Sequence, residues 1–176
     1  MVTRLLFKII VVGDGGVGKS TMIQRLTTGQ FIPMKITIGT DLVTHDVKIS
    51  DTELAKLQIW DFGGEKRFRF FLPNYCRGAV GCLLCYDITR FRSLENLDEW
   101  INIVKENTVD PVIILVGQKQ DLADEKRVVR VSDAEEFQQK YSLPYFYETS
   151  SKSGYNNELI FRILTKAIIV KQKKIL

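Results

Sequence analysis

The sequence predicts a single α/β domain built on an open, mostly parallel β-sheet with helices on both faces. Short apolar runs rich in β-branched residues, such as FKIIVV and PVIILV, alternate with amphipathic stretches, which is typical of repeated strand and helix units. The polar stretch ISDTE at 49–53 predicts a hairpin, and therefore one antiparallel edge strand on a six-stranded sheet. With 176 residues and 45% apolar content, the range 1–176 suits one domain with a full core.

The elements are predicted in a regular order along the chain. Strands are expected at 5–12, 43–49, 55–60, 79–87, 112–118 and 145–149, and helices at 19–28, 93–107, 132–141 and 156–173. The helix at 132–141 opens with Ser-Asp-Ala-Glu, a capping-box pattern that makes Ser132 the expected N-cap. Ligands of such sheets bind at the carboxyl ends of the strands, so the segments that follow the strands carry the functional predictions.

Composition and charge exclude several classes of function. The net charge of +4 and the pI near 8.9 are mild, so we expect no nucleic-acid partner. The apolar runs are too short to cross a bilayer, and the N-terminus lacks the pattern of a signal peptide. The three cysteines, Cys76, Cys82 and Cys85, have no metal-ligand partners at useful spacing, which favours a reducing, cytoplasmic compartment with Cys82 and Cys85 in the core. The single histidine, His45, falls in a predicted strand and is not expected to be catalytic.

The first strand runs into a glycine-rich segment that matches the phosphate-binding pattern GxxxxGK[ST]. Its residues are Gly13, Asp14, Gly15, Gly16, Val17, Gly18, Lys19 and Ser20, with Thr21 next in the chain. Backbone N–H groups of such a loop surround phosphates, Lys19 reaches the outer ones, and the Ser20 hydroxyl serves Mg²⁺. The same stretch also spells GxGxxG, a dinucleotide pattern that leaves the Lys-Ser pair unexplained, and a glycine-rich turn without a ligand is the other alternative. A nucleotide kinase would need an arginine-rich lid, for which the chain has no insertion.

Two further segments favour guanine as the base. In VGQKQDL, Lys119 and Asp121 follow the fifth strand, where a carboxylate accepts two hydrogen bonds from the N1 and N2 donors of guanine; adenine offers no such pair. After the last strand, ETSSKSG contains Ser150, Ser151 and Lys152, and the backbone N–H groups of Ser151 and Lys152 suit the guanine oxygen. Each segment alone is common, but their order at successive strand ends predicts a guanine-nucleotide site for GTP or GDP.

With these motifs the chain resembles the small GTPases of the Ras superfamily, and most of all the Rab family, from about residue 6 to residue 168. Segments similar to Rab sequences are TIGTDL (37–42), KLQIW (56–60), KRFR (66–69), YCRGA (75–79) and YDIT (86–89). The resemblance implies a P-loop NTPase fold of the small G domain type and a switch between GTP and GDP states. It also implies that Thr37 and Asp61 join Ser20 around Mg²⁺, that the Gly64 amide bonds the γ-phosphate, and that Phe31 packs on the base.

The resemblance also implies partners and an output. Effector proteins would bind the two mobile segments at 32–42 and 62–75, and an exchange factor and an activating protein would regulate the cycle. Gly15 stands where a side chain would crowd an arginine supplied by an activating protein. No arginine of this chain is evident from the sequence for that role.

Three departures from the family pattern concern affinity and location. The usual asparagine before Lys119 is Gln118, one methylene longer, which predicts weaker nucleotide binding with guanine specificity retained. The segment between Phe31 and Thr37 is one residue shorter than in Rab proteins, and this length and the two glycines of WDFGGE are similar to the ADP-ribosylation-factor branch. No cysteine follows Cys85 and the chain begins Met-Val, so no lipid anchor is expected in this chain.

The end of the chain is rich in lysine, at Lys171, Lys173 and Lys174. These charges would attract anionic lipid weakly and allow a peripheral membrane location. The favoured interpretation is an ordinary solvated helix terminus.

A fourth departure concerns catalysis, because Glu65 stands where the family has the glutamine that orients the attacking water. A carboxylate still accepts a hydrogen bond from water but loses the N–H donor, and it brings negative charge towards the γ-phosphate. At about 5 Å and an effective dielectric of about 20, that repulsion is roughly 3 kcal/mol before Mg²⁺, Lys19 and solvent reduce it. The prediction is a GTPase that hydrolyses GTP slowly unaided, with Glu65, Gly64 and Lys19 as its catalytic residues. The alternative is a module that binds GTP or GDP without significant hydrolysis.

Overall fold

The computed structural model describes residues 3–174. Along these residues the chain forms six strands and seven α-helices, with 3₁₀ turns at Lys66–Phe71 and Gln120–Leu122. The strands are β1 (Thr3–Val12), β2 (Thr40–Lys48), β3 (Glu53–Phe62), β4 (Gly81–Asp87), β5 (Val112–Gln118) and β6 (Tyr145–Glu148). The helices are α1 (Lys19–Thr28), α2 (Leu72–Cys76), α3 (Phe91–Glu95), α4 (Leu97–Asn107), α5 (Ala123–Lys126), α6 (Val131–Lys140) and α7 (Asn157–Lys173).

The six strands form one sheet in the order β2-β3-β1-β4-β5-β6. β2 pairs antiparallel with β3, and every other neighbouring pair is parallel. The prediction of a mostly parallel sheet with one antiparallel edge strand, joined by a hairpin after Lys48, is therefore confirmed. In a parallel sheet all carboxyl ends meet at one edge, and here the loops after β1, β3, β4, β5 and β6 converge there.

The sheet is buried on both faces because successive strand residues point to opposite sides. On one face Ile10 and Val12 of β1 pack with Trp100 of α4 in a cluster that also includes residues of α2 and α6. On the other face Ile9 and Val11 belong to a second cluster with residues of α1 and α7. Helices cover both faces as predicted, and Cys82 and Cys85 are fully buried in β4. Burial raises the pKa of the Cys85 thiol to about 12, which keeps it protonated and unreactive.

The single helix predicted at 93–107 is wrong, because the structure divides it into α3 and α4 at Asn96. The backbone N–H of Glu99 bonds to the carbonyl of Asn96 at 3.2 Å, three residues back, so the helical turn tightens there. The side-chain amide of Asn96 is directed at Asp14 in the loop after β1. The break therefore aims a polar side chain towards the carboxyl edge of the sheet.

The predicted start of the helix at 132–141 is also wrong in detail. The helix begins at Val131 with Arg130 as its N-cap, so Ser132 lies inside the first turn. The Asp133 carboxylate accepts the backbone N–H of Arg130 at 2.8 Å. Aspartate at the third helical position thus does the capping that the sequence pattern assigned to serine.

The lysines near the end of α7 are partly engaged with carboxylates. Lys171 pairs with Asp110 at 2.6 Å, and Lys173 lies 3.9 Å from Glu53. Among residues 3–174, none of the helices is both long and apolar enough to span a membrane.

Candidate functional site

A cavity of about 440 Å³ opens at the carboxyl edge of the sheet, a volume typical of small-ligand sites. Most of the predicted site residues line it: Gly15, Gly16, Gly18, Lys19, Ser20, Thr21, Phe31, Thr37, Gly64, Gln118, Lys119, Asp121, Ser151 and Lys152. Six predicted residues do not line it: Gly13, Asp14, Val17, Asp61, Glu65 and Ser150. Five separate segments of the chain thus meet around one space.

The loop after β1 wraps the buried ammonium group of Lys19. Its Nζ donates to the carbonyl oxygens of Gly13 at 2.8 Å and Asp14 at 2.9 Å. Burial lowers the pKa of Lys19, and nearby Asp61 opposes that shift. Gly18 caps α1 with φ of 111°, a backbone conformation that favours glycine. A lysine at a helix N-terminus, where the first backbone N–H groups have no partner within the helix, is an arrangement that attracts phosphate.

Three side-chain oxygens meet next to Lys19. Ser20 Oγ lies 2.5 Å from Thr37 Oγ1 and donates to Asp61 Oδ2, while Thr37 Oγ1 is 3.5 Å from the same carboxylate oxygen. The other carboxylate oxygen, Asp61 Oδ1, is buried without a hydrogen-bond partner. Burial raises the pKa of Asp61, against the hydrogen bond from Ser20 and the charge of Lys19.

This oxygen cluster fits a magnesium ion. Mg²⁺ takes hard oxygen ligands, keeps several waters and is usually bound through one or two carboxylates together with substrate phosphates. Two hydroxyls and one carboxylate, of which one oxygen is buried without a partner, meet that description. Within the described range, no group of three or more His, Cys, Asp and Glu side chains is placed to hold a metal. A cation here would therefore depend on Ser20, Thr37, Asp61 and phosphate.

The opposite end of the cavity is bounded by the loop after β5. Lys119 adopts φ of 68°, and its Nζ donates to the Gly16 carbonyl at 3.0 Å and to Asp87 at 2.6 Å. Asp121 Oδ1 accepts the Ser150 hydroxyl at 2.6 Å. This bond ties the loop after β5 to the loop after β6 and places a carboxylate at the cavity wall.

The buried carboxylate of Asp87 forms an ion pair with Lys119. Burial alone would raise the pKa of Asp87, but hydrogen bonds from Lys119 and Thr89 outweigh it and hold that pKa below its ordinary value. The Asp87 carboxylate is therefore charged at neutral pH and fixes the lysine stem against the P-loop.

Gln118 is the last residue of β5 and is almost fully buried. Its Oε1 accepts the Thr149 hydroxyl at 3.2 Å, and its Nε2 lies against the sulfur atoms of Met22 and Cys85. A Cβ placed at Gly18 would come within 3.6 Å of Gln118 Oε1. The Gln118 side chain, one methylene longer than the asparagine usual in the family, thus fits beneath the P-loop (residues 13–20). Its effect on nucleotide affinity stays a prediction.

Sequence reasoning missed the surroundings of the Asp14 carboxylate, which faces away from the cavity. It accepts Arg69 Nη2 at 2.9 Å, Asn96 Nδ2 at 2.5 Å and Trp100 Nε1 at 2.9 Å. The Arg69 guanidinium lies 4.5 Å from the Trp100 ring centroid and also pairs with Glu99. The P-loop is thereby joined to the segment after β3 and to α4.

A second arginine of the chain, Arg90, also reaches the P-loop. Its Nη2 donates to the Gly15 carbonyl at 2.8 Å, and its Nε lies 3.3 Å from Asp87. No sequence pattern predicts an arginine of this chain beside Gly15. Arg90 directly follows the segment YDIT (86–89). The contact becomes visible only in the structure, where the loop after β4 packs against the P-loop.

The segment after β3 comes very close to the P-loop at Gly64. A Cβ at that position would lie 2.1 Å from the backbone N of Gly15 and 2.2 Å from the carbonyl carbon of Asp14, so the contact requires glycine. The next residue, Glu65, does not line the cavity. Its carboxylate instead pairs with Arg67, with 2.6 Å between Oε2 and Nε.

Several lining residues were not predicted as site residues. They are Pro33, Met34, Lys35, Ile36 and Leu122. Leu122 directly follows Asp121 in the KQDL motif, which is a signal that could have found it. The others connect Phe31 to Thr37, so the two predicted end points imply that the chain between them crosses the cavity.

Fold and site together define a P-loop nucleotide-binding protein of the small G domain type. A glycine-rich loop between β1 and α1 holds the lysine, and the residues predicted to bind phosphate, metal and base lie around one cavity at the carboxyl edge of the six-stranded sheet.

The comparisons with known proteins identify the family. The sequence model of the Ras family matches residues 8–170. The chain is 41% identical over 173 residues to the Ras-related protein RABA1c of Arabidopsis thaliana, covering 96% of this chain and 78% of that protein. It is 38% identical over 174 residues to the Ras-related protein Rab11B of Nicotiana tabacum, covering 97% and 79%. The chain belongs to the Ras family of small GTPases and is Rab-like.

Proposed function

We propose that this protein is a molecular switch that binds GTP and GDP with Mg²⁺ and hydrolyses GTP slowly when unaided. The observation that carries the proposal is that one cavity is lined by Lys19, Ser20, Thr37, Gly64 and Asp121. Lys19 suits phosphate, Ser20 and Thr37 suit a metal ion, Gly64 suits the γ-phosphate and Asp121 suits guanine. Family membership supports a small GTPase in general.

Ser20 and Thr37 would hold the magnesium ion, and Asp61 would hold it through water. When bound, the ion offsets the charge that develops on the phosphate oxygens. Lys19 lies buried against the P-loop carbonyls and would exchange these contacts for β- and γ-phosphate oxygens. Because the site excludes much of the solvent around Lys19, its charge acts at low dielectric and stabilises the transferring phosphoryl group.

Hydrolysis itself would be an in-line attack of water on the γ-phosphate. The Gly64 amide would donate to a γ-phosphate oxygen, since its residue lines the cavity beside Gly15. Glu65 would accept a hydrogen bond from the attacking water after leaving Arg67. A charged acceptor without an N–H donor supports slow hydrolysis, and an activating protein would speed it with an arginine of its own.

The output would be the shape of two segments, 32–42 and 62–75. They carry unusually exposed apolar side chains, with Ile36 67%, Ile38 76% and Phe70 83% exposed. Exposed apolar surface of this kind is typical of protein interaction sites. Effector proteins would bind these segments in the GTP state, and an exchange factor would open the same region to release GDP. We place the protein in the cytoplasm, with peripheral membrane contact through the lysines of α7 as the alternative.

The test is a Gly64→Ala variant. The added Cβ would overlap the P-loop backbone, so the segment after β3 cannot approach the γ-phosphate. We expect binding of GDP to change less than twofold and single-turnover GTP hydrolysis to fall by roughly tenfold or more, as for loss of one oriented donor. Hydrogen exchange at 62–75 should no longer differ between the GDP and GTP states.

Glu135→Ala, at an exposed position of α6, is the matched control and should leave all three measurements unchanged. If Gly64→Ala retains wild-type hydrolysis and the nucleotide-dependent difference in exchange, the proposed switch mechanism is wrong.

A further inference from the structure

We propose that Arg67 is a positioning residue that holds the Glu65 carboxylate away from the γ-phosphate and thereby protects the affinity for GTP relative to GDP. The inference rests on the proposed function and concerns Glu65, a negative charge at the position where the resemblance implies a neutral glutamine. Glu65 and Arg67 pair at 2.6 Å between Oε2 and Nε. Among the described residues, no other cation lies within 4 Å of the Glu65 carboxylate.

The location of the pair makes its charge relevant to the nucleotide. Gly64 lines the cavity, whereas Glu65, one residue later, does not. Glu65 has extended backbone with φ of −74° and ψ of 141° as it enters the 3₁₀ turn Lys66–Phe71. Its carboxylate pairs with Arg67, two residues further along, and Glu65 is not part of the cavity lining.

Arg67 is itself held in place by an aromatic ring. Its guanidinium carbon lies 4.8 Å from the centroid of Phe68, a cation–π contact. The Phe68 ring packs at Gly63, where an added Cβ would come within 3.2 Å of Cδ2. The backbone N–H of Phe68 donates to the Glu65 carbonyl at 2.9 Å. The arginine is therefore oriented by the same turn that carries the glutamate.

Without Arg67 the carboxylate would lose its counter-charge next to the γ-phosphate. GTP carries that phosphate and GDP lacks it, so the repulsion falls on GTP far more than on GDP. Both side chains keep some solvent contact, 66% exposed for Arg67 and 35% for Glu65, and exposed pairs have modest effects. We therefore expect the ratio of GTP to GDP affinity to fall by roughly 2- to 5-fold on loss of Arg67.

The experiment measures the binding of GDP and of a non-hydrolysable GTP analogue, both with Mg²⁺, to five proteins: wild type, Arg67→Ala, Arg67→Lys, Glu65→Gln and the double variant Glu65→Gln/Arg67→Ala. The expected result is a lowered analogue-to-GDP ratio in Arg67→Ala only. Lysine keeps the positive charge and should preserve most of the ratio. In the Glu65→Gln background there is no carboxylate to hold, so Arg67→Ala should have no effect. Arg4→Ala, at an exposed position at the opposite end of the sheet, is the control.

The outcomes separate this inference from the proposed function. Two results would overturn the role of Arg67 alone, provided that the wild-type protein binds both nucleotides. In the first, Arg67→Ala leaves the ratio of analogue to GDP affinity unchanged. In the second, Arg67→Ala lowers that ratio equally whether position 65 is Glu or Gln. A wild-type protein that binds neither nucleotide overturns both proposals. A merely structural role for Arg67 would weaken GDP and analogue binding together and leave their ratio constant, which also contradicts the inference.

Discussion

Replacing Asp121 with asparagine is expected to weaken GTP binding by roughly 10- to 100-fold, the loss that follows when a charge-assisted hydrogen-bond pair is removed. The carboxylate lies at the cavity wall, held by Ser150 at 2.6 Å, and we propose that it accepts both the N1 and N2 donors of guanine. An amide can accept only one of them and would direct an N–H group at the other donor. Xanthine carries a carbonyl in place of the 2-amino group, so the same variant should bind XTP better than GTP. Competition of GTP, XTP and ATP against a fluorescent nucleotide measures the change.

The matched control for this variant is Asp124→Asn, which removes the charge of an exposed carboxylate three residues later, in α5. It should leave all three affinities unchanged. If Asp121→Asn binds GTP as tightly as the wild type does, this carboxylate does not read the base and guanine specificity has another source.

The second large effect is expected from Asp61→Ala. This carboxylate has one oxygen bonded by Ser20 and the other buried without a partner, which is the arrangement that a metal shell would complete. Its loss should lower single-turnover GTP hydrolysis by roughly 10²- to 10³-fold, the effect typical of removing one group that stabilises transition-state charge. Chelation of Mg²⁺ with EDTA should then accelerate GDP release much less than it does in the wild type.

Asp41 provides the control for Asp61 because it lies opposite Asp61 in the pairing of β2 with β3 and is exposed. Asp41→Ala removes the same type of charge from the same region and should keep hydrolysis and the response to EDTA. An equal loss of GTP hydrolysis in Asp61→Ala and Asp41→Ala would mean that the negative charge of this region, and not a metal ligand, explains the effect.

Most of the fold was predictable because its signals are local. β5 has the bounds expected from its apolar run, and α1 begins at Lys19 as predicted. The P-loop was predictable for the same reason, since glycines, lysine and serine at fixed spacing determine its backbone and its chemistry together. The hairpin and antiparallel edge followed from one polar stretch between two strands, and the register of β2 on β3 agrees with it.

What the sequence could not predict depends on contacts between distant residues. Asp14 bonds to Asn96 and Trp100, which are 82 and 86 positions away, and no local pattern marks that meeting. The same contact accounts for the missed break between α3 and α4. Helix propensity favours a single helix through this region, whereas the Asn96 side chain hydrogen-bonds to Asp14 in the P-loop at the break. Arg90 beside Gly15 is a third case. The pairing of Glu65 with Arg67 is local, only two residues apart, but a salt bridge between two flexible side chains has no sequence pattern that marks it.

The most direct test of the central proposal is phosphate release from protein preloaded with GTP and Mg²⁺ under single-turnover conditions, with the bound nucleotide identified in parallel. The proposal predicts guanine nucleotide in the purified protein and slow, complete conversion of GTP to GDP that disappears on chelation of Mg²⁺ and in Asp61→Ala. GTP that stays bound and intact for hours would contradict hydrolysis and leave a nucleotide-binding module. Bound adenine nucleotide, or none, would contradict the assignment of the cavity itself.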